Sequence, residues 1–281
     1  MKKQCRIVCL YSGSGGNSTF IRVGGTAILI DAGKSARALC RALSDIGEDI
    51  KNISAVFVTH EHTDHVSALE ILAKKNPMPI HITSLSAERF DEMSAPYVCS
   101  RMITHPIEFC EQIGELKISS FRTPHDSRMS VGYRVDFFDG EATRSFGYAT
   151  DIGYVSDEIR ANLLGCEAVV LESNHDIDML LTGPYPRELK MRVASKRGHL
   201  SNSECAELAT ELAANGTRAI MLAHLSKENN DPSLALDLTE SAVSGMGVSV
   251  AVAHPDEPRE LILETEEDVY AEREAYNPWN A

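Results

Sequence analysis

Apolar positions in the first third of the chain fall in short β-branched runs separated by glycines. Residues 6–11, Ser18–Val23 and 27–31 predict three consecutive strands, joined by turns at Gly13, Gly15, Gly16 and at Gly24-Gly25. A helix is predicted over about 35–45, and Ala55, Val56, Phe57 and Val58 then read as a short buried strand. The polar stretch 59–65 leaves the end of that strand. Behind it a helical pattern begins, with Thr63 as its N-cap and Val66, Leu69, Ile71 and Leu72 as its apolar face. Further strands are predicted at 116–121, 131–137, 145–150 and 168–171, and Ser173 or Asn174 is placed to cap a helix running through Met179 and Leu180. The last third alternates helix with strand, at 203–214, 219–223, 232–244 and 248–253, before a short edge strand at 261–263. Antiparallel runs early and interleaved helices later predict sheets covered by helices, an α/β sandwich, and argue against an all-helical bundle.

With 281 residues and 43% hydrophobic content the chain has material for a substantial core. No Pro/Ser-rich linker divides it, so a single domain over 1–281 is expected, with an acidic, solvated tail over about 256–281. The N-terminal apolar run is short and broken by polar residues, which argues against a signal peptide or a membrane span. Seven cysteines, Cys5, Cys9, Cys40, Cys99, Cys110, Cys166 and Cys205, are odd in number and lack a CxxC spacing, which fits reduced thiols and a cytoplasmic location. A net charge of −14 makes the average surface repel polyanions, so a nucleic-acid partner would require a local basic patch.

The chemistry is concentrated in Thr59 to His65, the string THEHTDH. His60 and His62 are two apart, so on extended backbone their rings project to one side and can share one ion. Asp64 and His65 fall at the start of the following helix and are aimed at nearly the same point. Imidazole with carboxylate suits zinc, manganese or iron, and two interleaved pairs suit two ions about 3.5–4 Å apart better than one. The alternative is a His-rich surface loop, against which the strand and helix context speaks. Two ions need roughly three more ligands. His125 in TPHDS, Asp151 in YATDIG and His224 in LAHLS each follow a predicted strand and are the candidates. His81, His105 and His254 have no partner motif and are read as structural.

The order Asp31, His60, His62, Asp64, His65, His125, Asp151, His224 resembles the five-motif signature of the metallo-β-lactamase superfamily. The strings YSGSGGNS (11–18), LESNHD (171–176) and GHLSN (198–202) resemble more narrowly its YycJ/WalJ-like exonuclease branch, and the likeness runs over essentially the whole chain. The resemblance implies a four-layer αβ/βα sandwich with the site at one edge of two sheets. It implies one ion on His60, His62 and His125, a second on Asp64, His65 and His224, Asp151 between them, and Asp31 holding the motif loop by hydrogen bonds. Larger RNA-processing relatives insert a cap domain ahead of the His199 motif, and the interval from Asp151 to His199 is too short for one. The superfamily hosts several chemistries, so the fold alone does not choose among them.

His199 precedes Ser201-x-x-Glu204, a capping box, and therefore sits at a helix N-terminus suited to an anion. Arg187, Lys190, Arg192, Lys196 and Arg197 lie just upstream with one acid, Glu188, among them. This is either a solvated helix face or the required basic patch. The nuclease branches carry a similar Gly-His, which implies that His199 contacts the scissile phosphate or protonates the leaving oxygen. Ser14, Lys196, Arg197 and Ser201 are the remaining candidate phosphate contacts; the loop bearing Ser14 is either a tight turn or a backbone anion nest. Glu172 and His175 are read either as support for the metal ligands or as part of a helix start, with His175 at its surface.

Together these readings predict a hydrolase that uses two divalent ions, zinc or manganese with iron also admitted, and a hydroxide bridging them. Asp64, Asp151 and His199 would carry the catalysis on a phosphodiester, and resemblance to the branch implies DNA degraded from its 5′ end. No organic cofactor and no membrane partner are expected, and the sequence leaves the oligomeric state open. The rivals are a hydrolase of small esters, thioesters or lactones on the same centre and a non-catalytic metal-dependent binding protein.

Overall fold

The computed structural model describes residues 5–261. Fourteen strands follow one another among them: β1 (Cys5–Tyr11), β2 (Ser18–Val23), β3 (Thr26–Ile30), β4 (Ala55–Phe57), β5 (Ile80–Thr83), β6 (Met102–His105), β7 (Cys110–Ile113), β8 (Leu116–Arg122), β9 (Val131–Phe138), β10 (Thr143–Ala149), β11 (Ala168–Glu172), β12 (Ala219–Ala223), β13 (Ser249–Val252) and β14 (Arg259–Leu261). They form two seven-stranded sheets, ordered β14-β1-β2-β3-β4-β5-β6 and β13-β12-β11-β10-β9-β8-β7. In each sheet one half is antiparallel and the other parallel: β3 to β6 run parallel in the first, and β10 to β13 in the second.

The apolar runs are continuous because both faces of these strands are buried, and period-two geometry then divides each strand between two cores. Ile7 and Cys9 of β1 enter the core between the sheets, while Val8 and Leu10 face helices on the other side. Val170 of β11 and Met221 of β12 also enter the inter-sheet core; Val169, Leu171, Ile220 and Leu222 pack instead under the helices Asp157–Leu163 and Asn202–Ala214 through Ile159, Leu163, Leu208 and Leu212. Three apolar clusters, one at each layer boundary, make the architecture the expected four-layer αβ/βα sandwich. No helix among the described residues is long and apolar enough to cross a membrane. All seven cysteines are free.

Several local expectations are corrected. The helix after the THEHTDH string starts with Thr63 as its first residue, and extended His62 holds the cap position without a side-chain cap bond. That helix stops at Val66 and a second one begins at Leu69, so the phase changes and Ile71 is exposed, whereas Val66, Leu69 and Leu72 are buried. Asp176, not Ser173 or Asn174, caps the helix Ile177–Thr182 by accepting from the Met179 N–H. Ser173 and Asn174 are committed elsewhere, to Asn202 Oδ1 and the His224 carbonyl. His175 is buried, not a surface residue. An edge strand is present as β14, paired with β1, but over Arg259–Leu261, so of the predicted 261–263 only Leu261 belongs to it; residues 262–281, including the rest of that prediction and most of the acidic tail, lie outside the described residues.

Candidate metal centre

The parallel strands end level with one another. Ile30 pairs with Phe57 across β3 and β4, Ala149 with Leu171 across β10 and β11, and Glu172 with Ala223 across β11 and β12. The residues that follow are Asp31, the segment 58–65, Asp151 and His224, the C-terminal edge where open α/β sheets place ligands. Asp31, Asp151 and His224 all have left-handed backbone, with φ of 61°, 58° and 57°. Such conformations cost about 1–3 kcal/mol each and persist where the surroundings over-determine them. Here the Asp31 N–H donates to the Phe57 carbonyl at 2.8 Å and the His224 N–H to Ser12 Oγ at 2.7 Å. The sharp turns bring the three side chains back over the strand ends.

Four of the histidines spend one ring nitrogen on a protein oxygen. His65 Nδ1 lies 2.8 Å from Asp31 Oδ2, His125 Nδ1 3.1 Å from the Gly198 carbonyl, His224 Nδ1 3.0 Å from Glu172 Oε1, and His60 Nδ1 3.0 Å from Thr59 Oγ1. Thr59 in turn donates its N–H and its hydroxyl to the two oxygens of Asp31 at 2.8 and 2.9 Å. These bonds assign the proton to Nδ1 and leave Nε2 as the ligand-type atom of each ring. The four Nε2 atoms turn inward. His60 Nε2 is 3.0 Å from His62 Nδ1. Asp151 Oδ1 is 3.6 Å from both His125 Nε2 and His224 Nε2, and its Oδ2 is 3.4 Å from His65 Nε2. Asp64 Oδ2 lies 3.4 Å from His65 Nε2 and 3.7 Å from His224 Nε2.

Ligand-type atoms of His60, His62 and His125 fall within 4.8 Å of one another, as do those of Asp64, His65 and His224, and those of His60, His65 and Asp151. Asp151 Oδ2 and His224 Nε2 are buried without a hydrogen-bond partner. Buried polar atoms left in that condition call for a bound ion or water. The charge balance agrees. Burial works against a proton on His224, but the charge of Asp151, the nearby Asp64 carboxylate and the hydrogen bond to Glu172 lift it to about 10. Burial is outweighed in the same way at His65, which Asp31 and Asp151 hold well above the ordinary histidine value. Asp64 is held well below the carboxylate range, burial being overcome by the His224 and His65 rings that face it. His60, ringed by burial and by His65, His125 and His62, is pressed well below. Four buried or half-buried carboxylates thus demand cationic charge at the inward nitrogens, where a proton and a divalent ion compete. The donor set is able to bind divalent metal, and N/O ligation admits zinc, manganese and iron.

His199 stands beside this cage. Its Nδ1 is 2.8 Å from Glu172 Oε1, the same oxygen that takes His224, and its ring stacks on His224 with centroids 5.2 Å apart. Glu172 Oε2 accepts the N–H groups of Ile152 and Leu200 at 2.7 and 3.0 Å, so the carboxylate is fully engaged. Burial disfavours a proton on His199, but the charge and hydrogen bond of Glu172 raise it overall.

Other expected contacts fall differently. Ser201 is buried, and its hydroxyl is taken up by the capping box with Glu204. Ser14 is exposed; the residues of its loop that touch the centre are Ser12 and Asn17. His175 makes no ring hydrogen bond to a ligand residue among the described residues, and its Nδ1 has no partner. Arg197 donates to the carbonyls of His125 and Ser127, and Arg192 pairs with Asp126, so part of the basic segment ties down the His125 loop. Lys196 is exposed, its Nζ 5.9 Å from the Tyr154 ring.

Three neighbours escaped the sequence reading. Asn17 accepts the Gly13 N–H through Oδ1, which turns Nδ2 to within 3.1 Å of His65 Nε2 and 3.3 Å of Asp64 Oδ2. Glu61 is buried between the ligands of the motif and accepts from Ser86 Oγ and the Arg128 N–H. Asp126 places Oδ1 3.3 Å from His125 Nε2. A polar residue flanking a ligand in sequence was the available signal for Glu61 and Asp126; no local pattern marked Asn17.

Known proteins share this arrangement of sequence and fold. Residues 26–225 match the family model described as the Beta-lactamase superfamily domain. The chain is 30% identical over 253 residues to exodeoxyribonuclease YycJ of Bacillus anthracis, spanning 89% of this chain and 94% of that protein. It is 33% identical over 245 residues to exodeoxyribonuclease WalJ of Streptococcus pneumoniae, spanning 86% and 90%. Among solved structures, the metallo-β-lactamase fold protein YhfI of Bacillus subtilis superposes with a TM-score of 0.68 at 16% identity, over 91% of this chain and 99% of that one. The Zn(2+)-bound PqqB of Methylobacterium extorquens superposes with a TM-score of 0.66 at 18% identity, over 90% and 99%.

Proposed function

The chain belongs to the metallo-β-lactamase superfamily, in the branch of YycJ and WalJ, and from that premise we propose that it is a metal-dependent exodeoxyribonuclease acting through two divalent ions. The observation that carries the reading is Glu172, whose single oxygen Oε1 holds both a metal-ligand histidine, His224, and a histidine at the rim, His199. A simple ester hydrolase has no need of a cation fixed beside the cage, whereas a phosphodiester brings an anion there and releases an alkoxide.

His60, His62 and His125 would hold one ion and Asp64, His65 and His224 the other, with Asp151 available to both. Bound there, zinc or manganese supplies activation of water and polarisation of a phosphoryl oxygen. The remaining work is done by the chain. Asp31, the Gly198 carbonyl and Glu172 orient the ligand rings through their outer nitrogens. Glu172 keeps His199 protonated, and the imidazolium neutralises the phosphate and gives a proton to the leaving oxygen as the P–O bond breaks. Arg187 and Lys196, exposed on the segment leading to His199, offset the −14 net charge locally and guide the nucleic-acid backbone.

The test is cleavage of 5′-labelled and 3′-labelled DNA and RNA, single- and double-stranded, by the protein reconstituted with manganese or zinc, with Asp151→Ala as the blank. Metal-dependent release of nucleotides from the 5′ end of DNA is the expected result. Turnover of small esters, thioesters or lactones with every polymer intact would keep the centre and discard the substrate. Tight nucleic-acid binding without turnover would mark a binding protein instead.

A further inference from the structure

A second cluster of ligand-type side chains lies on strands that contribute nothing to the centre above. His81 on β5, His105 on β6 and Glu111 on β7 each offer one atom, and these atoms lie within 4.8 Å of one another. His81 Nδ1 is 2.9 Å from His105 Nε2. That spacing nearly equals the 3.0 Å between His60 Nε2 and His62 Nδ1, the pair assigned to one ion. Glu111 Oε1 approaches His105 Nδ1 at 3.8 Å.

The two rings are fixed before any ligand arrives. Phe57, His81, His105 and Phe109 form a column of nearly parallel rings, with neighbouring planes 10°, 9° and 13° apart. His81 is 2% and His105 7% exposed, while the Glu111 side chain at 36% opens the cluster to solvent. Hydrogen bonding leaves the pair incomplete. Two neutral imidazoles carry two N–H groups and two lone pairs, and their mutual bond uses one of each. Glu111 is beyond hydrogen-bond reach of His105, and His81 Nε2 is buried with no partner. An interior normally resolves such a shortfall with water or an ion.

Topology gives an ion here a purpose. β6 and β7 are the last strands of the two sheets on the same side, and backbone pairing stops at each of them. We propose that His81, His105 and Glu111 form a separate divalent-metal site, suited to zinc with water as its fourth ligand, that clasps the edge strands of the two sheets and takes no part in hydrolysis. Burial and the neighbouring ring hold His81 down at about 4, so it offers an unprotonated nitrogen at neutral pH. The proposal stands or falls independently of the substrate assigned above.

Metal content is the test, on the full-length chain stripped with chelator, loaded with zinc and desalted. The wild type is expected to retain one more zinc per chain than Glu111→Gln and than His105→Phe, the second of which keeps the ring column. Both variants are expected to hydrolyse substrate at the wild-type rate. Cobalt(II) loading is read in parallel on a background in which His60→Ala, His65→Ala and Asp151→Ala disable the first centre. There the visible bands of a four-coordinate site are expected, and Glu111→Gln weakens cobalt binding at least tenfold. Zinc content and cobalt bands that do not respond to Glu111→Gln, or zinc held only at about 1 mM or above, would overturn the proposal. Because Glu111 is half-exposed, Glu111→Gln reports even if His105→Phe does not fold.

Discussion

Asp31 Oδ2 accepts the Nδ1–H of His65 at 2.8 Å, although the two residues leave different strands, and Thr59 joins them by donating twice to the same carboxylate. One buried group therefore sets the tautomer of His65, a candidate metal ligand, and the exit angle of the loop carrying His60. Asp31→Asn keeps a residue type that tolerates the left-handed backbone at φ 61° and removes the charge. It is expected to weaken metal binding about 10- to 100-fold with little change in unfolding midpoint. Asp31→Ala should lose the same affinity and a further ~1 kcal/mol or more of stability, because alanine lacks the short polar side chain whose hydrogen bonds let Asp and Asn tolerate that conformation. Chelator competition and denaturant titration measure the two effects separately. Affinity within threefold of wild type in Asp31→Asn would mean that His65 is oriented without it.

The pH profile reports on Glu172. If His199 acts as the acid, kcat/KM is full below its pKa and falls as pH rises through it. Burial opposes the proton on His199 and Glu172 restores it, leaving that pKa above the ordinary value. Glu172→Gln removes the restoring charge, so the alkaline limb is expected to move to lower pH. His199→Ala should abolish the limb and lower kcat about 100-fold or more at unchanged metal content. A loss under threefold, less than about 1 kcal/mol of barrier, would remove His199 from the reaction.

Electrostatic guidance by the exposed cations has a signature in salt. Arg187→Ala with Lys196→Ala is expected to raise KM for DNA and to flatten its dependence on salt by about one unit of log–log slope per charge removed. Hydrolysis of an uncharged-tail phosphodiester such as bis(4-nitrophenyl) phosphate should be unchanged, since neither residue touches the cage. An unaltered salt slope would reduce the basic segment to a solvated face.

What could be read from the sequence depended on how far apart the cooperating residues lie. His60, His62, Asp64 and His65 were legible because four ligand-type residues sit within one short string. His125, Asp151 and His224 were legible because each follows an apolar strand, and Asp31 only through the family resemblance. Asn17 was not, since it reaches Asp64 and His65 across 47 and 48 positions through a turn whose geometry no local pattern encodes. The strands β5 to β7 were missed for a related reason. β6 is mostly exposed and β7 alternates exposed and half-buried residues, so neither carries the apolar run that marked the central strands. Ile71 was misplaced because periodicity was carried through Ser67 and Ala68, where the helix breaks. His81 and His105 looked unpartnered because parallel strands, not sequence, bring them together.

Tyr133 shows how the second sheet supports the metal loop of the first. Its ring is fully buried between the sheets and meets Phe57 edge-on, with centroids 5.7 Å apart, and its hydroxyl donates to the Val58 carbonyl at 2.6 Å. The Val58 N–H is already committed to the His81 carbonyl at 2.9 Å. Tyr133 therefore completes the hydrogen bonding of the last residue before Thr59 and His60. Tyr133→Phe preserves the ring packing and strands a buried carbonyl, which is expected to cost about 1–3 kcal/mol and to lower the thermal midpoint by a few degrees. Burial, and then the charge of Asp31, hold the Tyr133 hydroxyl well above the ordinary tyrosine pKa, so it remains a donor through neutral and mildly alkaline pH. The deficit should accordingly be equal at about pH 6 and about pH 9. A deficit that vanished at the higher pH would mean that Tyr133 ionises there and that its bond to Val58 is not what anchors the loop.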